Sequence, residues 1–183
     1  MNANECVLFS GGLRGAEAAF GETAERYGVE EVNFTFDGHH IERTRGVRTL
    51  NHEELQQGDV SLEYVGKRLH RHFPRTTYFR RVLQTIWHQV NNAQEIFVIG
   101  KILDDGTVKG GTGWGAEFDK ICNKPLYVFD QELGTWSRWT GSSWDETPAP
   151  AIQHVHFTGM GTRHLEKNGH AAIEKLFADT FGS

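Results

Sequence analysis

Apolar residues along this chain follow two kinds of pattern. Short continuous runs occupy residues 5–9 (ECVLF), 31–36 (EVNFTF), 95–100 (EIFVIG), 126–130 (LYVFD) and 154–157 (HVHF). Runs of this length predict strands, and 95–100 is apolar enough to be buried on both faces, as parallel strands are. Between the runs the spacing changes to that of a helix. Ala16, Ala19, Phe20, Ala24 and Tyr27 form one stripe, stopped by Gly28. Phe79, Val82, Leu83, Ile86, Trp87 and Val90 form the clearest stripe, over 77–92, and Ala172, Ile173, Leu176, Phe177 and Thr180 form the last.

Polar residues supply the punctuation. Asn51 can cap a helix, with Glu54 reaching back to it and Leu50 stapled onto Leu55. Gly58-Asp59 breaks and recaps that helix, after which Leu62, Val65, Leu69 and Phe73 keep one face until Pro74. The Arg-rich stretch 38–49, with Arg43, Arg45 and Arg48, predicts a loop whose charges are solvated by default and could form a second ligand clamp. Residues 110–115 predict a glycine loop opening a helix over Ala116–Cys122. Residues 131–150, carrying Trp136, Trp139 and Trp144, predict a β-hairpin excursion, its tryptophans packed within it or against another copy. Strands alternating with helices predict the α/β class: a single domain over 1–183, three-layer and Rossmann-like, with a mostly parallel sheet and helices on both faces.

Composition then narrows the function. The chain has 183 residues, the size of one domain, and a formal net charge of −5. Such a charge offers no overall basic field for a phosphate backbone, so no nucleic-acid partner is expected. No apolar run nears the roughly 20 residues of a membrane span, and MNANECVLFSGG lacks the basic and apolar regions of a secretion signal. Cys6 and Cys122 show no framework spacing and are expected as reduced thiols. The expectation is a cytoplasmic protein away from membranes. His39-His40, His70-x-His72 and His154-x-His156 lack helical pairing or a cysteine partner, so no metal site is expected and hydrogen-bonded histidines are.

The 21 glycines against 4 prolines are the unusual number, and many of those glycines cluster. Ser10-Gly11-Gly12-Leu13-Arg14-Gly15, Gly110-Gly111-Thr112-Gly113-Trp114-Gly115 and Gly159-Met160-Gly161-Thr162 each follow a predicted strand and lie near a helix start. In a doubly wound sheet ligands bind beyond the carboxyl ends of the strands. Helix N-termini supply free N–H groups there, and glycine lets an anion approach the backbone. The candidate binding residues are therefore Ser10, Gly11, Gly12, Arg14 and Gly15; Gly110, Gly111, Thr112, Gly113, Trp114 and Gly115; and Gly159 and Thr162. None of the clusters has the G-x-x-x-x-G-K-[ST] pattern, and the first lacks G-x-G-x-x-G, so neither a P-loop nor a standard NAD site is indicated.

SGGLRGAEAAF resembles the S-G-G-x-x-G-[AV]-[DE] opening of the SLOG superfamily, which includes molybdenum-cofactor carrier-type proteins. The stretch from Lys109 resembles the P-G-G-x-G-T-x-x-E signature of its LONELY-GUY, or lysine-decarboxylase-like, members. Gly110, Gly111, Gly113 and Glu117 match, while Lys109 replaces Pro and Trp114 replaces Thr. Lys124-Pro125 is similar to that family's next strand start. The resemblance implies a nucleotide-type ligand, as substrate or effector, with no further cofactor, and it implies dimerisation. In enzymatic members it further implies hydrolysis of the N-glycosidic bond of a nucleoside 5′-monophosphate, with Glu117 and Arg80 as the catalytic residues. Three classes of function stay open on the residues: phosphate-ligand binding at the glycine loops, that hydrolysis, and a carrier or structural role in which glycine serves folding alone.

Overall fold

The computed structural model describes residues 1–182. A short 3-10 turn (Ala3–Glu5) leads into β1 (Val7–Ser10), α1 (Ala16–Tyr27), β2 (Glu30–Thr35) and β3 (Val47–Thr49). Three consecutive helices follow: α2 (His52–Gln56), α3 (Asp59–Arg68) and α4 (Thr77–Asn92). Then come β4 (Glu95–Gly100), α5 (Thr112–Cys122), β5 (Leu126–Asp130), the hairpin β6 (Thr135–Trp139) and β7 (Trp144–Thr147), β8 (His156–Gly161) and α6 (Lys167–Phe181).

The strands form one sheet in the order β3-β2-β1-β8-β4-β5-β6-β7. The first six of that order pair in parallel, and β6 and β7 add antiparallel at one edge. Side chains alternate across the sheet with the period of two that strands impose. On β4, Ile96 and Val98 join a cluster with Leu62, Leu83 and Phe118 from α3, α4 and α5. Phe97 and Ile99 join a second cluster with Phe20 of α1 and Phe177 of α6. The continuous apolar run of β4 is thus explained by two cores, one on each face. No helix of the described residues is long and apolar enough to cross a membrane.

Local signals hold where they rest on caps and periods. The Asn51–Glu54 capping box forms, with the Glu54 amide donating to Asn51 Oδ1 at 2.9 Å and the Asn51 amide to Glu54 Oε2 at 2.8 Å. Gly28 ends α1 in the left-handed region at φ 75°. Helix α4 spans the residues its periodicity predicts. Cys6 is buried just before β1, Cys122 is half-buried at the end of α5, and both are free thiols.

Four expectations need correction. Residues 38–49 are not all loop: Val47–Thr49 pairs with β2 as an exposed edge strand, so its side chains carry no burial pattern to read. Helix α3 ends at Arg68, and Leu69 and Phe73 reach the core from irregular chain. The tryptophan-bearing hairpin is no excursion, because β6 pairs with β5 and extends the main sheet. The last strand runs to Gly161, so Gly159 lies inside β8 and not in a loop.

That in-strand glycine has a steric cause. A Cβ on Gly159 would sit on the ring of Phe20, which α1 packs flat against the sheet at this point. Gly159→Ala is expected to destabilise the fold by about 2 kcal/mol through overpacking. The measurement is urea unfolding, and a Gly159→Ala/Phe20→Leu double mutant should recover part of the loss.

Candidate functional site

Strand order reverses direction across β1, β8 and β4: the chain leaves β1 toward β2 on one side and leaves β4 toward β5 on the other. The carboxyl ends of these strands share one edge, where a cleft of about 590 Å³ opens. Its polar wall comes from the turns after β4, β5 and β8, with Lys101, Glu132, Thr162, Arg163 and His164. Its apolar wall is the start of α4, with Tyr78, Phe79, Val82 and Ile86. Lys109, Gly110, Gly111 and Thr112 close it at the N-terminus of α5, opposite Leu13 and Glu17 at the start of α1.

The turn that delivers Lys109 is itself a small folded unit. Ile102 bridges Val108, and the Lys109 amide donates to Lys101 O at 3.0 Å, which returns the chain to the cleft. Trp144 Nε1 clamps the turn from outside by donating to Gly106 O at 2.8 Å. Lys120, buried on α5, donates to the same Gly106 O at 3.0 Å and lies 4.0 Å from the centroid of the Trp139 ring. Trp136 instead packs in the core against Phe97 and Phe129. The three tryptophans are thus packing groups, and two of them hold the β4–α5 turn in place.

Gly110 sits in the left-handed region at φ 77° with open space where a Cβ would go, which turns the chain so that α5 points its first amides at the cleft. Among the described residues the amides of Gly110 and Gly111 donate to no protein acceptor. Lys109 and Arg163 likewise have no carboxylate partner among the described residues. Lys101, by contrast, is paired with Glu132 at 2.7 Å. Two unpaired cations and two free amides on one cleft form an arrangement suited to an anion.

The glycine clusters do converge, but most of their residues face protein. Gly15 packs against the backbone of Thr162 and Arg163, Gly161 against Ile99 and Ala16, Gly113 against Val108 and Gly115 against Met160. Gly113, Trp114 and Gly115 belong to α5 itself, which starts at Thr112, four residues earlier than expected. Ser10 is buried and donates its hydroxyl to Gly159 O at 3.0 Å. The Gly12 carbonyl accepts the amides of Glu42 and Arg43, so it serves the 38–46 strap. Arg14 is exposed and near Glu42 at 3.9 Å. Of the expected binding residues, Gly110, Gly111, Thr112 and Thr162 line the cleft.

The arginines of the strap do not form a second ligand clamp. Arg43 is held by the buried Glu31 at 2.7 Å and by Glu25 at 2.8 Å, and Arg45 lies 3.7 Å from the same Glu31 carboxylate. Arg48 pairs with Glu54.

Trp114 cannot stack on a ligand, because it is buried against Phe73 and Gly66. The two residues expected to be catalytic lie outside the cleft lining and are held by different partners. Glu117 lies between α3 and α5, bound by Arg68 at 2.7 Å and Lys120 at 3.3 Å. Arg80 lies 2.6 Å from Asp59, donates to Pro74 O and stacks on Phe73. Both act here as internal charge partners, which a spacing motif cannot distinguish from site residues.

What sequence reasoning passed over is Glu17. It is 4% exposed, lines the cleft, and accepts the Leu13 amide at 3.0 Å. Burial pushes its carboxyl up to about 7, opposed by the amides of Leu13 and Gly11 and by the charge of Arg163. The acidic position of the opening motif was the available signal. The β1–α1 loop therefore gives the Leu13 and Gly11 amides to an internal carboxylate instead of leaving them for a ligand.

Most histidines are hydrogen-bonded or exposed, while His154 is half-buried with its Nδ1 3.4 Å from Glu95 Oε2. His88 Nε2 lies 2.7 Å from Glu54 O, and His39 Nδ1 lies 3.0 Å from Thr35 Oγ1. Burial, with Arg163 and His40 nearby, pushes His39 down to about 4, so it is neutral at physiological pH. Among the described residues no three His, Cys, Asp or Glu side chains gather as a metal site. Compared with protein-family profiles, curated proteins and solved structures, the chain matches none.

Two stability outcomes follow. Glu117→Ala leaves the buried Lys120 without its carboxylate and should cost about 3 kcal/mol in chemical unfolding. For Glu17 the folded state holds its proton up to about pH 7, whereas the unfolded chain releases it near 4.5. The folded state thus binds more protons across that window, and stability falls as pH rises through it, by at most about 1.4 kcal/mol per pH unit. Glu17→Gln should flatten that decline in melting temperature measured from about pH 5 to about pH 8.

Proposed function

We propose that this chain is a three-layer, Rossmann-like domain of SLOG type whose cleft binds a nucleotide or nucleotide-derived ligand through its phosphate. The single observation that carries the reading is the unpaired Lys109 and Arg163 facing one cleft beside the free amides of Gly110 and Gly111. The apolar start of α4 supports it: Tyr78 and Phe79 offer aromatic surface on which a base or sugar can lie. The volume of about 590 Å³ falls within the range of small-molecule pockets. The motif resemblance at Ser10–Glu17 and Gly110–Glu117 is consistent with the same class of ligand.

Binding is favoured over N-glycosidic hydrolysis by Glu117 and Arg80, because both of those groups are engaged by Arg68, Lys120 and Asp59 away from the cleft. A purely structural role for the glycines accounts for Gly15, Gly113, Gly115, Gly159 and Gly161 and for the left-handed turn at Gly110, but leaves Gly111 unexplained.

A thermal-shift panel of AMP, GMP, CMP, IMP and the matching nucleosides tests the reading. Nucleotides should raise the melting temperature by mass action and nucleosides should do so far less. Lys109→Ala and Arg163→Ala should each weaken nucleotide binding about tenfold or more, the usual worth of a charge-assisted contact. Glu117→Gln should leave it unchanged. Equal stabilisation by nucleosides, or none by any phosphate-bearing compound, would refute the proposal.

A further inference from the structure

The geometry points to Glu17 as a proton-accepting group within the cleft: an anionic ligand binds together with one proton, which the Glu17 carboxyl holds against it. This inference rests on the phosphate reading above. It starts from a conflict of charge in one place. Arg163 and the start of α1 are where an anion entering between the β1–α1 and β8–α6 loops would arrive, yet the Glu17 carboxyl already stands there. Its Oε2 takes the Leu13 amide, so the loop meets an incoming anion with an acid and not with an amide. Two anions in a site screened from water repel far more strongly than in solution. Protonating one of them removes the repulsion and turns an acceptor into a donor for a phosphate oxygen.

The surrounding charges do not relieve the conflict in another way. Among the described residues, the charge that acts on Glu17 is that of Arg163, from the β8–α6 turn. From α4, the neighbour under the loop is Gln89, which carries no charge. Around the rest of the cleft stand Tyr78, Lys101, Lys109, Glu132, His164 and Glu166. Lys101 and Glu132 neutralise each other. With His164 neutral, Lys109, Arg163 and Glu166 leave one net positive charge, which an ionised Glu17 cancels and a protonated Glu17 preserves. Burial already holds the Glu17 proton to about pH 7, so the exchange falls within an accessible range. His39, next to Arg163, is held down to about 4 by burial and nearby positive charge, too far below the working pH for an arriving anion to protonate it.

The test is calorimetric titration of the full chain with AMP at about pH 8, where Glu17 is mostly ionised when free, in two buffers of different ionisation enthalpy. Adenosine 5′-sulfate is the second probe, because its monoanion does not titrate in this range and any proton taken up belongs to the protein. The expected result is uptake of nearly one proton with both probes and an affinity that falls about tenfold per pH unit above about pH 7. Glu17→Gln, which keeps an oxygen for the Leu13 amide, should bind without proton uptake and with a flat pH profile. His164→Gln should keep the wild-type uptake. Binding by the wild type with equal enthalpy in both buffers, or uptake that persists in Glu17→Gln, would overturn the inference while leaving the phosphate reading intact. Failure of both probes to bind at any pH would overturn the two together.

Discussion

The cleft depends on one close approach of backbone to backbone. The β1–α1 loop meets the turn after β8 at Gly15, where a Cβ would lie 2.5 Å from Thr162 O, and the Ala16 amide donates to that same oxygen at 3.0 Å. One residue earlier, Gly161 lies against Ile99 and Ala16. Side chains at either glycine would push α1 away from the sheet edge, because packed interiors have little room to give. The contact brings Glu17 and Arg163, 146 positions apart in the chain, to one wall. It also aligns the start of α1 with the turns after β4 and β5, so that several chain segments share one cavity.

Charge is distributed around that contact in a consistent way. Groups that stabilise the fold are paired and mostly shielded: Glu31 with Arg43 and Arg45 under the strap, Glu117 with Arg68 and Lys120 between helices, Arg80 with Asp59. At the cleft, beside the Lys101–Glu132 pair, stand groups without a partner among the described residues, Lys109 and Arg163, and one whose environment disfavours its charge, Glu17. Leaving cations unpaired and burying an acid both detract from stability, and such departures concentrate where a protein binds something. The tryptophan hairpin fits the same division, since Trp139 and Trp144 immobilise the turn that presents Lys109 while standing outside the cleft.

Most elements were legible along the chain because their signals are local. Asn51 and Glu54 announce a helix start by chemistry complete within four residues, and Phe79 to Val90 by a period that one helix face must satisfy. Illegible elements lack that property. Val47–Thr49 has no buried side at all, being an exposed edge strand defined only by its hydrogen bonds to β2. Trp136 to Trp139 reads as a hairpin, but nothing in its residues says that it will add to β5.

The glycine-rich sequence thus specified by itself that loops would crowd together at strand ends, since glycine between a strand and a helix carries that meaning wherever it occurs. Which glycines face a ligand and which face protein is a question of what lies opposite, and Gly110 and Gly159 look alike until Phe20 is seen against one and open space against the other. The same holds for the acids. Glu17 and Glu117 each follow a glycine cluster in the sequence, which gives them equal claim to a site, yet Glu17 stands in the first turn of α1 and Glu117 midway along α5. Only the packing of α3 against α5 gives Glu117 its Arg68, and only the seating of α1 beside the β8 turn turns Glu17 toward the cleft, because a carboxylate's role is set by the charges and the solvent around it.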